Sequence, residues 1–232
     1  MKDLANNFME DSSINKQYNN FDDIYSSNLA VQDSTGNRFF YQTIDFFLEG
    51  KKVLDVGCGD GADCNFYQKA GAVVTGVEPS DNFVKKAREK YPACQFVVGV
   101  GENLPFDDGS FDVVFSKYAI QTSPEVPKVM SEIGRVLKKD GLLVMLSKHP
   151  FRQFMEQNAD KNYFKNNITT SNIYDGRIVL HEPSHSFGEY FNKGFFDNFD
   201  LLDYKEWYDF PASEQMDNLI HPTFFVIKAR RR

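Results

Sequence analysis

Between positions 50 and 150, short apolar runs alternate with longer stretches whose apolar residues recur every three or four positions. Runs at 52–56, 73–77, 95–98, 111–115 and 141–147 read as buried strands, and the stretches 61–70, 80–90 and 125–138 read as amphipathic helices. Ser80 stands where an N-cap is needed, and Lys138-Lys139-Asp140-Gly141 reads as a helix stop with positive charge at the dipole's negative end. Strand–helix alternation of this kind predicts a parallel, doubly wound sheet. Upstream, 13–49 reads as helices on the spacing of Phe39, Phe40, Ile44, Phe47 and Leu48, and 1–12 reads as a frayed end. Downstream, 150–188 breaks the alternation. It is polar, Asn-rich and studded with aromatics, and its length suits a lid or inserted subdomain. A helix over 187–199 and an antiparallel strand pair, 201–208 with 222–229, complete the pattern at the sheet edge.

The first strand opens into Val53-Leu54-Asp55-Val56-Gly57-Cys58-Gly59-Asp60-Gly61. Glycines placed this densely allow positive φ and let a ligand approach the backbone closely. A loop at the carboxyl end of a strand is where open α/β sheets bind nucleotide-like ligands. The second strand ends at Glu78, followed by Pro79, about 20 residues past the glycines, the spacing of an acid that holds ribose hydroxyls. The loop has neither the Gly-x-Gly-x-x-Gly dinucleotide spacing nor the basic residue of a Walker loop.

The ordered blocks VLDVGCGDG, GVEPS, GENLPFDDGSFDVVFS and LKKDGLLVML resemble those of class I S-adenosylmethionine-dependent methyltransferases, over about Lys51 to Lys148. The resemblance implies a Rossmann-like, seven-stranded mixed sheet with N-terminal helices and a lid insertion after the fifth strand. It implies S-adenosyl-L-methionine as cofactor and S-adenosyl-L-homocysteine as product. It divides the chain into a helical cap (1–49), a cofactor-binding core (51–148), a lid or substrate-binding insertion (150–187) and a final helix with edge strands (188–232).

Carried onto these positions, the resemblance puts Asp55, Gly57, Cys58, Gly59, Glu78, Pro79, Gly101, Glu102 and Ser116 around the cofactor. Asp55 would face its amino group; capping of loop amides is the competing role. Val100 stands where many relatives have the acid that accepts from the adenine amino group, so adenine falls to backbone at Gly101 and Glu102 or to a neighbouring side chain. Glu102 is equally readable as a cap on the Asn103-Leu104-Pro105 turn. Tyr18 and Tyr25, seven apart, share one helix face. Packing onto the sheet competes with closure of one hydroxyl, Tyr25 foremost, over the cofactor carboxylate. Tyr118, Gln121, His181 and Tyr18 are candidate substrate contacts, and Arg38 reads better as a surface charge. His149, just past the fifth strand, and His185, in a family-like segment after the lid, are candidate bases, since an unperturbed imidazole titrates near 6.5. Structural histidines are the alternative for both.

Composition then narrows the partners. With 232 residues, 41% hydrophobic, one domain with a sizeable core is expected. Twenty-three Phe and 11 Tyr fill such a core, and the surplus after Phe151 suits an apolar pocket. A net charge of −7 argues against a nucleic-acid partner. Cys58, Cys64 and Cys94 lack metal spacing, so no metal is expected. Absence of a leader or an apolar run of membrane length predicts a cytoplasmic protein, monomer or homodimer, without membrane attachment. The expected acceptor is a small molecule, such as a natural-product intermediate, methylated on O, N or C. Two rivals stay open: a methyltransferase for tRNA, protein or a carrier-bound chain, and a non-catalytic cofactor-binding module.

Overall fold

In the computed structural model, which describes residues 34–156, 162–165, 167–173, 178–209 and 220–232, β1 (Lys52–Val56) is the centre of the sheet. Its apolar residues are buried on both faces, as a continuous hydrophobic run requires in a parallel sheet. It pairs in parallel with β2 (Val73–Glu78) and β4 (Phe111–Lys117). β3 (Gln95–Val98) joins β2, and β5 (Leu137–Lys148) joins β4, again in parallel. β9 (Phe224–Arg231) runs antiparallel between β5 and β8 (Phe199–Trp207), giving the order β3-β2-β1-β4-β5-β9-β8. The mixed seven-stranded sheet is therefore present, with strand order reversing between β1 and β4, where such sheets open a ligand crevice.

Helices cover both faces. α1 (Thr35–Thr43), α2 (Ala62–Lys69) and α3 (Asp81–Lys90) lie on one, over a core that includes Phe40, Tyr67, Val84 and Phe115. On the other, α4 (Val126–Val136), α6 (Phe187–Tyr190) and α7 (Lys193–Asn198) enclose Ile133, Met145, Phe195 and Phe225. Val126, Val129, Met130, Ile133 and Val136 form the buried stripe of α4. Each such side chain contributes about 1.5–3 kcal/mol by leaving water. Ser80 caps α3 as predicted, its Oγ accepting from Phe83 N at 3.3 Å.

Three segments differ from the sequence reading. Lys138-Lys139-Asp140-Gly141 does not end a helix: α4 stops at Val136, and these four residues bulge from β5 opposite the single residue Asp112. Lys138 pairs with Asp112 at 2.7 Å, Asp140 adopts φ +62°, and a Cβ on Gly141 would stand 2.8 Å from Lys138 O. The signals for a helix stop and for this turn are the same residue types. The single helix expected over 187–199 is two short ones, because Asn192 turns outward to cap α7 through Phe195 N (3.0 Å). Phe199 is already in β8. Of the stretch 13–49 expected to be helical, the described residues begin at Ser34 and hold α1, which ends at Thr43, so Ile44, Phe47 and Leu48 lie beyond the helix and Phe47 is exposed.

The segment after β5 has secondary structure of its own: α5 (Pro150–Glu156) and a two-stranded antiparallel sheet of β6 (Ile168–Ile173) and β7 (Ile178–Pro183). Polar bonds dock it. Gln153, fully buried, donates to Pro183 O at 3.0 Å and accepts from His185 N at 3.1 Å. Lys148 pairs with Glu182 and with Glu156 (3.3 Å), and Arg152 pairs with Glu156 (2.8 Å). No helix among the described residues is long and apolar enough to cross a membrane.

Candidate cofactor site

β1 leaves the sheet hydrogen-bonded to its neighbour: Gly57 N and Cys58 N both donate to Val77 O, at 2.8 and 3.1 Å. Gly57 holds φ +76° with its Cα against Ala119, where a Cβ would stand 2.2 Å from that methyl group. Gly59 also has positive φ, +53°, but a Cβ there would meet nothing within 4 Å. The loop is thus packed at its base and open at its crest, where a ligand can reach backbone.

Glu78 fixes that crest. Its Oε2 accepts from Gly59 N at 3.1 Å and its Oε1 from Ser80 N at 3.0 Å, so one carboxylate ties the glycine loop to the turn at Pro79. Burial raises its pKa to about 7, against the two backbone N–H groups, which favour the charged form. A carboxylate has about four acceptor sites, so hydroxyl donors still find lone pairs there.

Asp55 lies beneath the loop and is almost wholly buried. Cys64 Sγ donates to its Oδ2 at 3.5 Å. Burial first, and Asp63 next, push its pKa well above the usual carboxylate range; Lys117 opposes them. Lys117, at the end of β4, pairs with Asp63 Oδ2 at 2.7 Å and reaches Tyr41 Oη at 3.3 Å, while Tyr41 donates to Asp63 Oδ1. Tyr41 and Asp63 escaped the sequence reading, although one signal was available. Alternation along β4 puts Lys117 on the face of Val113 and Phe115, beneath α1 and α2, where a lysine needs an anion.

The other candidates fall as follows. Ser116 Oγ, fully buried, donates to Val56 O at 2.9 Å. Gly101 packs beside Val129, and Glu102 accepts from Ser123 Oγ. The turn after Glu102 is capped instead by Glu132, which accepts from Leu104 N at 2.9 Å, so the alternative role given to Glu102 passes to Glu132. Tyr118 holds φ +53°, unusual for a residue with a Cβ, and donates to Asp209 Oδ2 at 3.2 Å. Asp209 Oδ1 accepts from Gly36 N at 2.9 Å, which brings the start of α1 to the end of β4.

Gln121 is buried, donating to Tyr118 O (2.7 Å) and accepting from Ser147 Oγ (3.2 Å). His185 donates from Nε2 to Gln121 O at 3.1 Å, its Nδ1 lies 3.3 Å from Glu189 Oε1, and its side chain has no exposed surface. His149 accepts from Phe151 N at Nδ1 and donates from Nε2 to Glu206 (both 3.0 Å), and burial holds its pKa below the ordinary value. His181 sits exposed on β7, 3.2 Å from Thr170 Oγ1. The three histidines thus bond to separate partners. The Arg38 side chain lies on an exposed face and donates to Thr35 Oγ1 at 3.2 Å. Tyr18 and Tyr25 lie outside the described residues.

An open glycine crest after β1, an acid closing β2 and a crevice at the strand-order reversal define a nucleoside-binding doubly wound domain. The donor set fits an amino-acid-bearing nucleoside: a carboxylate at Glu78 for vicinal hydroxyls, and acid and base together at Asp55 and Lys117. Residues 54–145 match the family described as "Methyltransferase domain". Over those residues, sequence and fold are similar to class I S-adenosylmethionine-dependent methyltransferase domains. A ubiquinone/menaquinone biosynthesis C-methyltransferase of Campylobacter jejuni is 33% identical over 102 residues, 41% of this chain and 43% of that protein. The phthiotriol/phenolphthiotriol dimycocerosates methyltransferase of Mycobacterium leprae is 35% identical over 117 residues, 49% of this chain and 43% of that protein. The matched region thus spans less than half the length of either relative. In fold, an S-adenosylmethionine-dependent methyltransferase from Mesorhizobium loti superposes with a TM-score of 0.71 over 86% of this chain and 99% of that one, at 20% identity.

Proposed function

We propose that this protein transfers a methyl group from S-adenosylmethionine to an O, N or C nucleophile of a small molecule. The observation that supports it most is Glu78 bridging Gly59 N and Ser80 N. That bridge presents the loop crest and a carboxylate side by side where a nucleoside sits across β1 and β2. S-adenosylmethionine supplies a methyl group already activated on sulfonium, so the protein's task is alignment, water exclusion and, for a protonated acceptor, proton removal. Glu78 accepts from the ribose hydroxyls, Asp55 faces the amino group, and backbone at Gly101 and Glu102 borders the adenine. Ser116 Oγ fixes the end of β4 to β1, and Tyr118 with Gln121 lines the acceptor side.

The small-molecule reading draws on the names of the two relatives and on a net charge of −7, which disfavours a phosphate backbone. The insertion of α5, β6 and β7 covers the acceptor side in this proposal. His185 and His149 remain the candidate bases, and each would first have to leave its present hydrogen bonds. Cytoplasmic location and a monomeric or dimeric state belong to the same proposal. Calorimetric titration with S-adenosylmethionine and S-adenosylhomocysteine, then a metabolite screen with methyl-labelled cofactor, tests it. Saturable binding and one labelled small molecule are expected. No binding by folded protein rejects the reading, and label found only on RNA or protein replaces its acceptor class.

A further inference from the structure

We propose that Lys117 grips the α-carboxylate of the cofactor's amino-acid end, so that Lys117 and Asp55 hold that zwitterion between them. This rests on the cofactor reading above and assigns a residue to it. A lysine head has three N–H donors. Lys117 spends one on Asp63 Oδ2 at 2.7 Å and one on Tyr41 Oη at 3.3 Å, and the third has no partner among the described residues. Its side chain is 19% exposed and that of Asp63 16%, so the ammonium is reachable from solvent, whereas Asp55 is almost wholly buried.

Position agrees with charge. Asp63 belongs to the first turn of α2, directly after the glycine loop, so Lys117 joins the end of β4 to that loop. Asp55, in β1, leads into the loop whose Gly59 N donates to Glu78, and Lys117 holds the first turn of the helix after that loop through Asp63, so the cation and the carboxylate given to ribose stand at the two ends of the glycine loop. Burial favours the protonated form of Asp55, and a ligand whose sulfonium, ammonium and carboxylate together carry one positive charge favours its ionised form beside Lys117. Tyr41 holds Asp63 from α1 and stacks its ring 5.4 Å from the Lys117 nitrogen, which limits where that head can turn.

The test compares S-adenosylmethionine with its decarboxylated analogue, which lacks only the carboxylate, by calorimetric titration of the full chain. The wild type should bind the analogue about 10- to 100-fold more weakly, the scale of one charge-assisted hydrogen bond. Lys117→Met should lose a similar factor toward S-adenosylmethionine and little toward the analogue, so that discrimination collapses. Lys117→Arg should keep most of it. Equal losses toward both ligands in Lys117→Met mark a structural role and overturn the inference, as does undiminished discrimination. If Lys117→Met does not fold, the wild type and Lys117→Arg still decide, because equal affinity of the wild type for both ligands overturns it. A wild type that binds neither overturns the cofactor reading itself, and this inference with it.

Discussion

Glu78 closes β2 with each oxygen on a backbone N–H, so its removal has two separable effects. Glu78→Ala should weaken cofactor binding by about 1.5–3 kcal/mol through lost hydroxyl contacts. It should also lower the melting temperature, because Gly59 N and Ser80 N lose their acceptor. An unchanged dissociation constant removes Glu78 from the site. The same residue sets a pH dependence. Its pKa rises from an ordinary 4.5 to about 7 in the folded protein, chiefly by burial, so the folded state holds a proton that the unfolded state has released. Stability is therefore lost as pH rises from about 4.5 through about 7, the reverse of the behaviour of a salt-bridged carboxylate. Buried Asp55 acts in the same direction. Urea unfolding of the ligand-free protein should show a lower midpoint at pH 8 than at pH 5.5, with the slope against pH reduced in Glu78→Gln. A flat or rising profile contradicts this assignment. The Glu78 position was legible in the sequence because a strand end and a fixed spacing announce it. Tyr41–Asp63–Lys117 was not, since its members are 22 and 54 residues apart along the chain and meet only when α1, α2 and β4 pack.

At the level of elements, the strands from β1 to β4 were readable because each is a short apolar run ended by Gly, Pro or charge. The bulge at 138–141 and the break at Asn192 were not readable, since Lys, Asp, Gly and Asn serve helix ends and turns alike. The break in the alternation after β5 is legible from its length and polarity, but the docking of α5, β6 and β7 depends on pairs between distant residues. Buried Gln153 joins α5 to Pro183 O and His185 N, and His185 joins the segment to Gln121 O. If the insertion is a lid, such bonds make it open as a unit. Hydrogen exchange over 150–187 should slow when cofactor and acceptor are both present, and equal exchange in the free and ternary states rejects a lid. His185→Ala separates base from anchor. Loss of a base predicts turnover down about 10²–10⁴-fold with cofactor affinity and melting temperature nearly intact. Loss of an anchor predicts a lower melting temperature, with activity tracking the folded fraction. The fully buried side chain, with Nε2 on a backbone carbonyl, favours the anchor.

Across the whole molecule, the cofactor crevice is built from parts that the sheet brings together but does not neutralise. In the proposed site Asp55, Asp63 and Glu78 are accompanied by one cation, Lys117, which pairs with Asp63 and acts on Asp55, and two of the three carboxyls have pKa values raised by burial. The ligand-free fold thus holds protons that a bound cation and hydroxyl donors would displace. A ligand that binds only the folded state stabilises it by about 2.7 kcal/mol at 100 times its dissociation constant. For a chain of this length that corresponds to a melting-temperature rise of roughly 5–10 °C. At one fixed concentration of S-adenosylmethionine the rise should be larger at pH 8 than at pH 6. At pH 6 the ligand must first strip protons from Glu78 and Asp55, whereas at pH 8 it meets a Glu78 already ionised. Differential scanning fluorimetry at both pH values, with Glu78→Gln in parallel, measures this. The mutant should show a smaller rise and less pH dependence. A rise that is larger at pH 6, or equal at both in the wild type, would mean that binding does not draw on these carboxylates and would move the cofactor away from the crest at Gly59.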